Sequence, residues 1–160
     1  MKKAFTLIEI LISVTIMSIL FLALGDIVKN LNKTKDVLSN IYKRSKKENL
    51  ALKVLYYDIL NAENIRFTKN KDICNIYIRT SNSLHNISMP YVFWYVSKNK
   101  NTLLRAESAE KINILSKNQN FYLDKFVQNV KIFKIYKKNG KYFVYLETSK
   151  PVYFEMYKGF

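Results

Sequence analysis

The sequence predicts an α+β protein in which a long N-terminal transmembrane and amphipathic helix packs on an antiparallel β-sheet. Three observations carry that expectation. An apolar run from Phe5 to Leu24 follows Met1-Lys-Lys-Ala4 and holds one carboxylate, Glu9. From Phe5 to Ala62 there is no proline, and Gly25 is the only glycine. From about Ile65 onward the pattern changes to short runs rich in β-branched and aromatic residues.

The apolar run comes first. About twenty such residues are enough to cross a bilayer as a helix. A charge inside the run costs roughly 2.5–3.5 kcal/mol at the helix centre and less near the interface. Glu9 therefore calls for a partner. A secretory signal peptide would have a shorter apolar core followed by small residues at a cleavage site. Gly25-Asp-Ile-Val-Lys29 offers no such site. A plain membrane anchor explains the hydrophobicity and leaves Glu9 unexplained.

The residues Lys3-Ala4-Phe5-Thr6-Leu7-Ile8-Glu9 resemble the prepilin-peptidase site of type IV pilins and type II secretion pseudopilins. That family pattern is a short basic leader, a small residue, then Phe-Thr-Leu-[Ile/Val]-Glu opening a hydrophobic helix. The resemblance implies a scissile bond between Ala4 and Phe5, with Phe5 as the N-methylated new terminus. It implies that Glu9 is the assembly contact, pairing with a neighbouring subunit's amino terminus. Ala4 stands where the family commonly has glycine, which implies slower cleavage.

The helix is expected to continue past the membrane. Apolar residues recur at Ile27, Val28, Leu31, Leu38, Ile41, Leu52, Leu55 and Ile59, near one stripe of a continuous helix. At 1.5 Å per residue, the span from Phe5 to Ala62 makes a rod of roughly 85 Å. The polar run Lys43-Arg44-Ser45-Lys46-Lys47 weakens the stripe around Ser45 and Glu48, where a break or kink would fall. The expected organisation is a cleaved leader at 1–4, a transmembrane half-helix at 5–24, a soluble amphipathic half at 25–62 and a β-rich domain at 63–160.

Within that domain the expected strands are Ile73–Thr80, Tyr91–Ser97, Thr102–Glu107, Val130–Lys137, Tyr142–Thr148 and Val152–Tyr157. Asn139-Gly140 between two of them is a hairpin signal, because both residues tolerate positive φ. Ser81 to Met89 reads as a polar connection and Phe121–Phe126 as a short helical turn.

Charge and composition bound the function. Lys and Arg number 27 against 12 Asp and Glu, a net charge of +15, which invites an anionic partner such as nucleic acid. The lysines are spread along the chain, and the bias to Lys, Asn, Ile, Tyr and Phe resembles that of an AT-rich genome. Aromatics gather in the strands at Tyr91, Phe93, Trp94, Tyr95, Phe133, Tyr136, Tyr142, Phe143, Tyr145, Tyr153 and Phe154. Interleaved with lysines they could stack bases, but half facing the core and half flanking the sheet is the favoured reading. Cys74 and His85 are each the only residue of their kind, so no internal disulfide forms. Cys74 is expected to be a buried inert thiol. A Cys74–His85 nucleophilic pair, or a metal site with Asp72, lacks an orienting third group. With no phosphate-binding glycine loop and no paired-carboxylate motif, the expectation is a non-enzyme with no catalytic residues, no cofactor and no metal.

A second resemblance covers more of the chain. Leu55-x-x-Asp58-Ile59-x-x-Ala62 is similar to the helix end of J-type minor pseudopilins, and Tyr95 with Leu103-Leu104-Arg105 is similar to their strand pair. Phe126-Val-Gln-Asn-Val130-Lys-Ile-Phe133 is similar to a later strand of theirs, although a type IV pilus minor pilin would show comparable marks. The resemblances imply a minor pseudopilin or minor pilin, a structural subunit of a type II secretion or type IV pilus-like filament, in the tip or initiation complex. Implied partners are prepilin peptidase, other minor and major pseudopilins or pilins, and an inner-membrane assembly platform. The implied location is the bacterial inner membrane, single-pass, with the C-terminal domain in the periplasm. The alternative is a pilin-like DNA-binding subunit of a natural-transformation system.

Overall fold

The computed structural model describes residues 7–68, 72–112 and 119–158. Helix α1 spans Leu7–Leu60, as a stretch without proline and with one internal glycine allows. The chain divides into two units, the first ending at Lys43 and the second beginning at Arg44.

In the first unit the described residues form helix alone, and no side chain before Lys43 is buried. Its early part is long and apolar enough to cross a membrane. Hydroxyls there are satisfied within the helix. Ser13 Oγ donates to the Glu9 carbonyl at 2.7 Å, Thr15 Oγ1 to that of Ile12 at 2.8 Å and Ser18 Oγ to that of Val14 at 2.8 Å. Such back-bonding is what a polar side chain needs where water is absent.

Among the described residues, the second unit contains the rest of α1 and eight strands. Glu48, Ala51, Val54, Leu55, Asp58 and Ile59 form its buried helical stripe. Ile27, Val28, Leu31, Leu38 and Ile41 are exposed, and burial along the helix begins at Glu48. One expectation is corrected here. No break occurs at Ser45 or Glu48, because Glu48 is buried with partners. Arg44 Nε donates to Glu48 Oε1 at 3.2 Å, and Thr148 Oγ1 donates to the same oxygen.

The helix stops at Leu60, and Ala62 already belongs to a strand. Asn61 closes it without a glycine: its backbone N–H and its Nδ2 both donate to the Tyr57 carbonyl at 3.0 Å. The strands are β1 Ala62–Thr68, β2 Asn75–Thr80, β3 Tyr91–Ser97, β4 Thr102–Ser108, β5 Tyr122–Val127, β6 Ile132–Lys138, β7 Lys141–Glu147 and β8 Pro151–Tyr157. They form two antiparallel meanders, β1-β2-β3-β4-β5 and β6-β7-β8. The α+β, pilin-like architecture is as the sequence predicts, with the sheet divided in two.

Strand β1 has no clear sequence signal, because Glu63, Asn64 and Arg66 dilute its alternation. In the segment Phe121–Phe126, the residues from Tyr122 onward are strand rather than a helical turn. Its residues pair with β4 from Leu103↔Val127 to Glu107↔Tyr122, and that pairing overrides the weak β-propensity of Asp124-Lys125. The strand expected from Ile73 starts at Asn75. Ile73 instead makes a parallel bridge to Phe133, with Cys74 N–H donating to the Phe133 carbonyl at 2.8 Å and Phe133 N–H to that of Asp72 at 2.9 Å. That bridge ties the two sheets together. Asn139 (φ 47°) and Gly140 (φ 76°) form the two-residue turn between Lys138 and Lys141.

The main core joins these elements. Ala51, Val54, Leu55 and Ile59 of the helix pack with Ile76, Ile78, Val92, Trp94 and Leu103 of the larger sheet. Phe133, Ile135, Tyr142, Val144 and Leu146 of the smaller sheet complete it. Burying each such side chain contributes about 1.5–3 kcal/mol, so the helix end is held mainly by apolar contact.

Candidate functional site

Two places hold side chains whose chemistry exceeds packing. The first is the opening of α1, where Glu9 lies exposed in the first described turn among Leu7, Ile8, Ile10, Leu11 and Ile12, all exposed as well. Ala4 and Phe5, the expected cleavage and methylation residues, lie outside the described residues.

The second is a buried ionic centre. Asp58 sits in phase with Val54, Leu55 and Ile59 on the helix and is fully buried. Arg105 and Glu107 on β4 point inward with Leu103, by the two-residue parity of a strand, and are also fully buried. Arg105 Nε donates to Asp58 Oδ2 at 2.9 Å and its Nη2 to Oδ1 at 3.1 Å. Trp94 Nε1 and Asn82 Nδ2 fill the remaining acceptor positions of Asp58, each at 2.7 Å. Arg105 Nη1 donates to Glu107 Oε2, which also accepts the Leu84 N–H at 3.0 Å. Ser83 Oγ donates to Glu107 Oε1. Among the described residues no buried side-chain polar atom lacks a hydrogen-bond partner.

The electrostatics follow from that geometry. Burial pushes the Asp58 carboxyl up from its ordinary value, against the pull of Arg105, Trp94 and Asn82. Burial also acts to raise Glu107, but the donors Ser83, Arg105 and Leu84 outweigh it and hold the carboxyl below the ordinary range. Burial acts to lower Arg105, and its two carboxylates reverse that, keeping it charged. The centre joins the helix, β3, β4 and the connection 81–90 through charge-assisted hydrogen bonds, a fixing role rather than a reactive one.

The sequence reading had singled out Asp58 and Arg105 only as marks of resemblance, without pairing them. Glu107, Asn82, Ser83 and Trp94 it missed as a group. The available signal was phase: three charged residues at inward positions of a helix and a strand must find one another. Cys74 is buried in the core, as expected. His85 partners Asp124, with Nε2 3.0 Å from Oδ2, and its ring stacks on Tyr122 at 4.3 Å. Among the described residues no three His, Cys, Asp or Glu side chains gather to hold a metal ion.

Comparison with known proteins bears on the first of the two places. Residues 1–25 match the model of the prokaryotic N-terminal methylation motif. No curated protein and no solved structure matches the chain. The prepilin-type motif is thereby present on the helix that carries Glu9, and that helix fits a membrane anchor. A chain that opens with this motif and passes from a long apolar helix to antiparallel sheets has the architecture of a type IV pilin-like protein.

Proposed function

We propose that the protein is a minor pseudopilin or minor pilin that enters a type II secretion or type IV pilus-like filament at its tip or initiation complex. The observation that carries this is the methylation motif at residues 1–25, heading a helix whose apolar side chains from Leu7 to Tyr42 are all exposed. A bilayer covers such a surface before assembly, and neighbouring helices cover it afterwards. In this reading prepilin peptidase cuts between Ala4 and Phe5, Phe5 is N-methylated, and Glu9 pairs with a neighbour's new terminus. The leader stays on the cytoplasmic side of the inner membrane, and the domain after the helix lies in the periplasm. An inner-membrane platform and other pilins or pseudopilins are the partners.

The minor, J-type assignment draws support from the ionic centre. The two residues that resemble J-type marks, Asp58 and Arg105, are the ones that lock helix to sheet. Mass spectrometry of protein extracted from membranes tests the reading. The expected species begins at N-methylated Phe5. An intact Met1 terminus in cells with active prepilin peptidase would overturn it.

A further inference from the structure

Among the described residues the sheets end on four strands, β1 and β5 in the larger and β6 and β8 in the smaller. Three of these edges carry a feature that discourages a further strand. Strand β8 opens on Pro151, β6 is bridged through Phe133 to Ile73, and β5 is bulged opposite Leu103–Leu104. Strand β1 is irregular only between Ala62 and Asn64, where Lys158 Nζ also donates to the Ala62 carbonyl. From Asn64 to Thr68 its register with β2 is unbroken, it holds no proline, and no described strand pairs with its outer side. Alternate N–H and C=O groups of such a strand point away from the sheet and form a template for strand addition.

The side chains say which strand fits. Ile65 and Phe67 lie opposite the buried Ile78 and Ile76 and pack on the main core, yet are themselves only partly buried. On the other face Asn64, Arg66 and Thr68 are exposed. An open cavity of about 710 Å³ lies along β1 and β2, with Arg66, Arg79 and Lys111 in its lining. Arg79 is paired with Glu63 at 3.3 Å, whereas Arg66 and Lys111 have no ion-pair partner among the described residues. A strand laid beside β1 sets its own side chains alternately on these two faces. One parity extends the core beside Ile65 and Phe67 and calls for apolar residues. The other meets Arg66 and Lys111 and calls for carboxylates. A second copy of β1 offers a single carboxylate, Glu63, already committed to Arg79, and pairing centred on Arg66 would oppose two guanidiniums. A phosphate polyanion would satisfy the cations but leave the backbone edge and the rim at Ile65 and Phe67 unused.

We propose that the Asn64–Thr68 edge takes an extended strand of another protein in which apolar and acidic residues alternate. Its carboxylates face Arg66 and Lys111, and its apolar side chains face Ile65 and Phe67. Backbone hydrogen bonds supply the affinity and the alternation supplies the specificity. The edge lies outside the helix that carries the filament role. Failure of Phe5 processing leaves it standing, and its failure leaves the filament role standing.

The probe is a labelled, end-blocked octapeptide alternating valine and glutamate, read by fluorescence anisotropy against the full chain in neutral-detergent micelles. It is expected to bind at least about tenfold more tightly than a peptide of the same composition with its glutamates in one block, which cannot keep its carboxylates on one face. N-methylation of two consecutive central residues removes donors on both peptide edges and is expected to weaken binding by about tenfold. Arg66→Glu is expected to weaken it about fivefold or more, Lys111→Glu about threefold, and Lys138→Glu, beside the exposed β6–β7 turn, less than about twofold. Near-ultraviolet circular dichroism, reporting Trp94 in the core, checks that each variant is folded. Amide hydrogen exchange over Asn64–Thr68 is expected to slow when the octapeptide binds. Equal binding of the block peptide, equal losses in all three charge reversals, or unchanged exchange over Asn64–Thr68 would reduce the binding to diffuse attraction and overturn the site. Exchange that slows there with protein concentration alone would make a second copy the occupant, and full displacement by polyphosphate of equal charge would make it a phosphate polyanion. Either would overturn the proposal, as would no binding at about 1 mM octapeptide.

Discussion

Arg105 and Asp58, 47 positions apart in sequence, meet in the core through two parallel hydrogen bonds of 2.9 and 3.1 Å, with neither side chain exposed. This fork-to-fork pair is the polar counterpart of the apolar stripe on α1, and it fixes the rotation of the helix end against β4. Apolar contacts alone would tolerate a small slide or turn of the helix. Four donors aimed at one carboxylate would not. Whether the pair adds net stability over an apolar replacement is a separate matter, since two buried charges carry a large desolvation cost.

That distinction gives the first prediction. Asp58→Asn replaces one acceptor oxygen with an NH2 group that must face either Trp94 and Arg105 or Asn82 and Arg105. The buried guanidinium loses one of its two carboxylate partners and keeps Glu107, and the expected loss is about 3 kcal/mol. Chemical denaturation of the full chain, followed by near-ultraviolet circular dichroism, measures it. An Asp58→Leu, Arg105→Met double variant is expected to lose less than the sum of the two single substitutions, because each removes the charge that the other leaves without its partner. Additive losses would mean that the two side chains act independently.

Glu107 gives a pH dependence with a definite sign. Its carboxyl is held below an ordinary value near 4.5 by Ser83, Arg105 and Leu84. The stabilisation is therefore present above that value and is lost as pH falls through the folded-state value. Asp58, raised by burial, contributes the opposite slope over its own range. Glu107→Gln removes only the first contribution. Below the ordinary carboxylate range, its stability curve is expected to be flatter than wild type by up to one proton, about 1.4 kcal/mol per pH unit. Parallel curves for the two proteins would show that Glu107 is not the titrating group.

The β6–β7 turn gives a test of backbone chemistry alone. Gly140 has φ 76°, and a Cβ placed there would meet nothing within 4 Å. The penalty for Gly140→Ala is then conformational, about 1–2 kcal/mol, with no steric part. A fall in melting temperature of about 3–8 °C is expected for a domain of this size. An unchanged melting temperature would mean that the turn relaxes to another type at no cost.

What could be read from sequence followed how locally each feature is encoded. The N-terminal motif, the long helix and the Asn139-Gly140 hairpin are each specified within a few residues, and each was legible. Strand β5 was misread because Asp124-Lys125 has poor local β-propensity, and only pairing with β4 makes it a strand. The extent of helix packing is not legible for a related reason. Periodicity shows that Ile27, Leu31 and Leu38 share a face, but it does not reveal what covers that face. The ionic centre depends on both kinds of long-range information at once. Asp58 and Arg105 are each unremarkable in their own segments, and only the docking of helix on sheet makes them partners.

Glu9 is where the assembly reading is most exposed to test. A carboxylate among Leu7, Ile8, Ile10 and Leu11 weakens the membrane anchor, so Glu9→Leu is expected to leave insertion and leader cleavage intact or improved. Cleavage after Ala4 would place an α-amine on Phe5, four residues away, or about 6 Å along the helix axis. An axially offset neighbour would bring its amine to this carboxylate, and each charge would offset the desolvation of the other. Losing the carboxylate then leaves the neighbour's amine unpaired in a low-dielectric setting, at a cost of about 3–5 kcal/mol. Glu9→Leu protein is therefore expected to be processed normally yet to enter the filament or tip complex poorly, as read by co-purification with its partner subunits. The defect would be partial if contacts between the folded domains also hold the complex. Glu9→Asp, which keeps the charge on a shorter arm, should recover part of the loss, whereas Glu9→Gln should not. Wild-type incorporation of Glu9→Leu would show that the amine finds its counter-charge elsewhere.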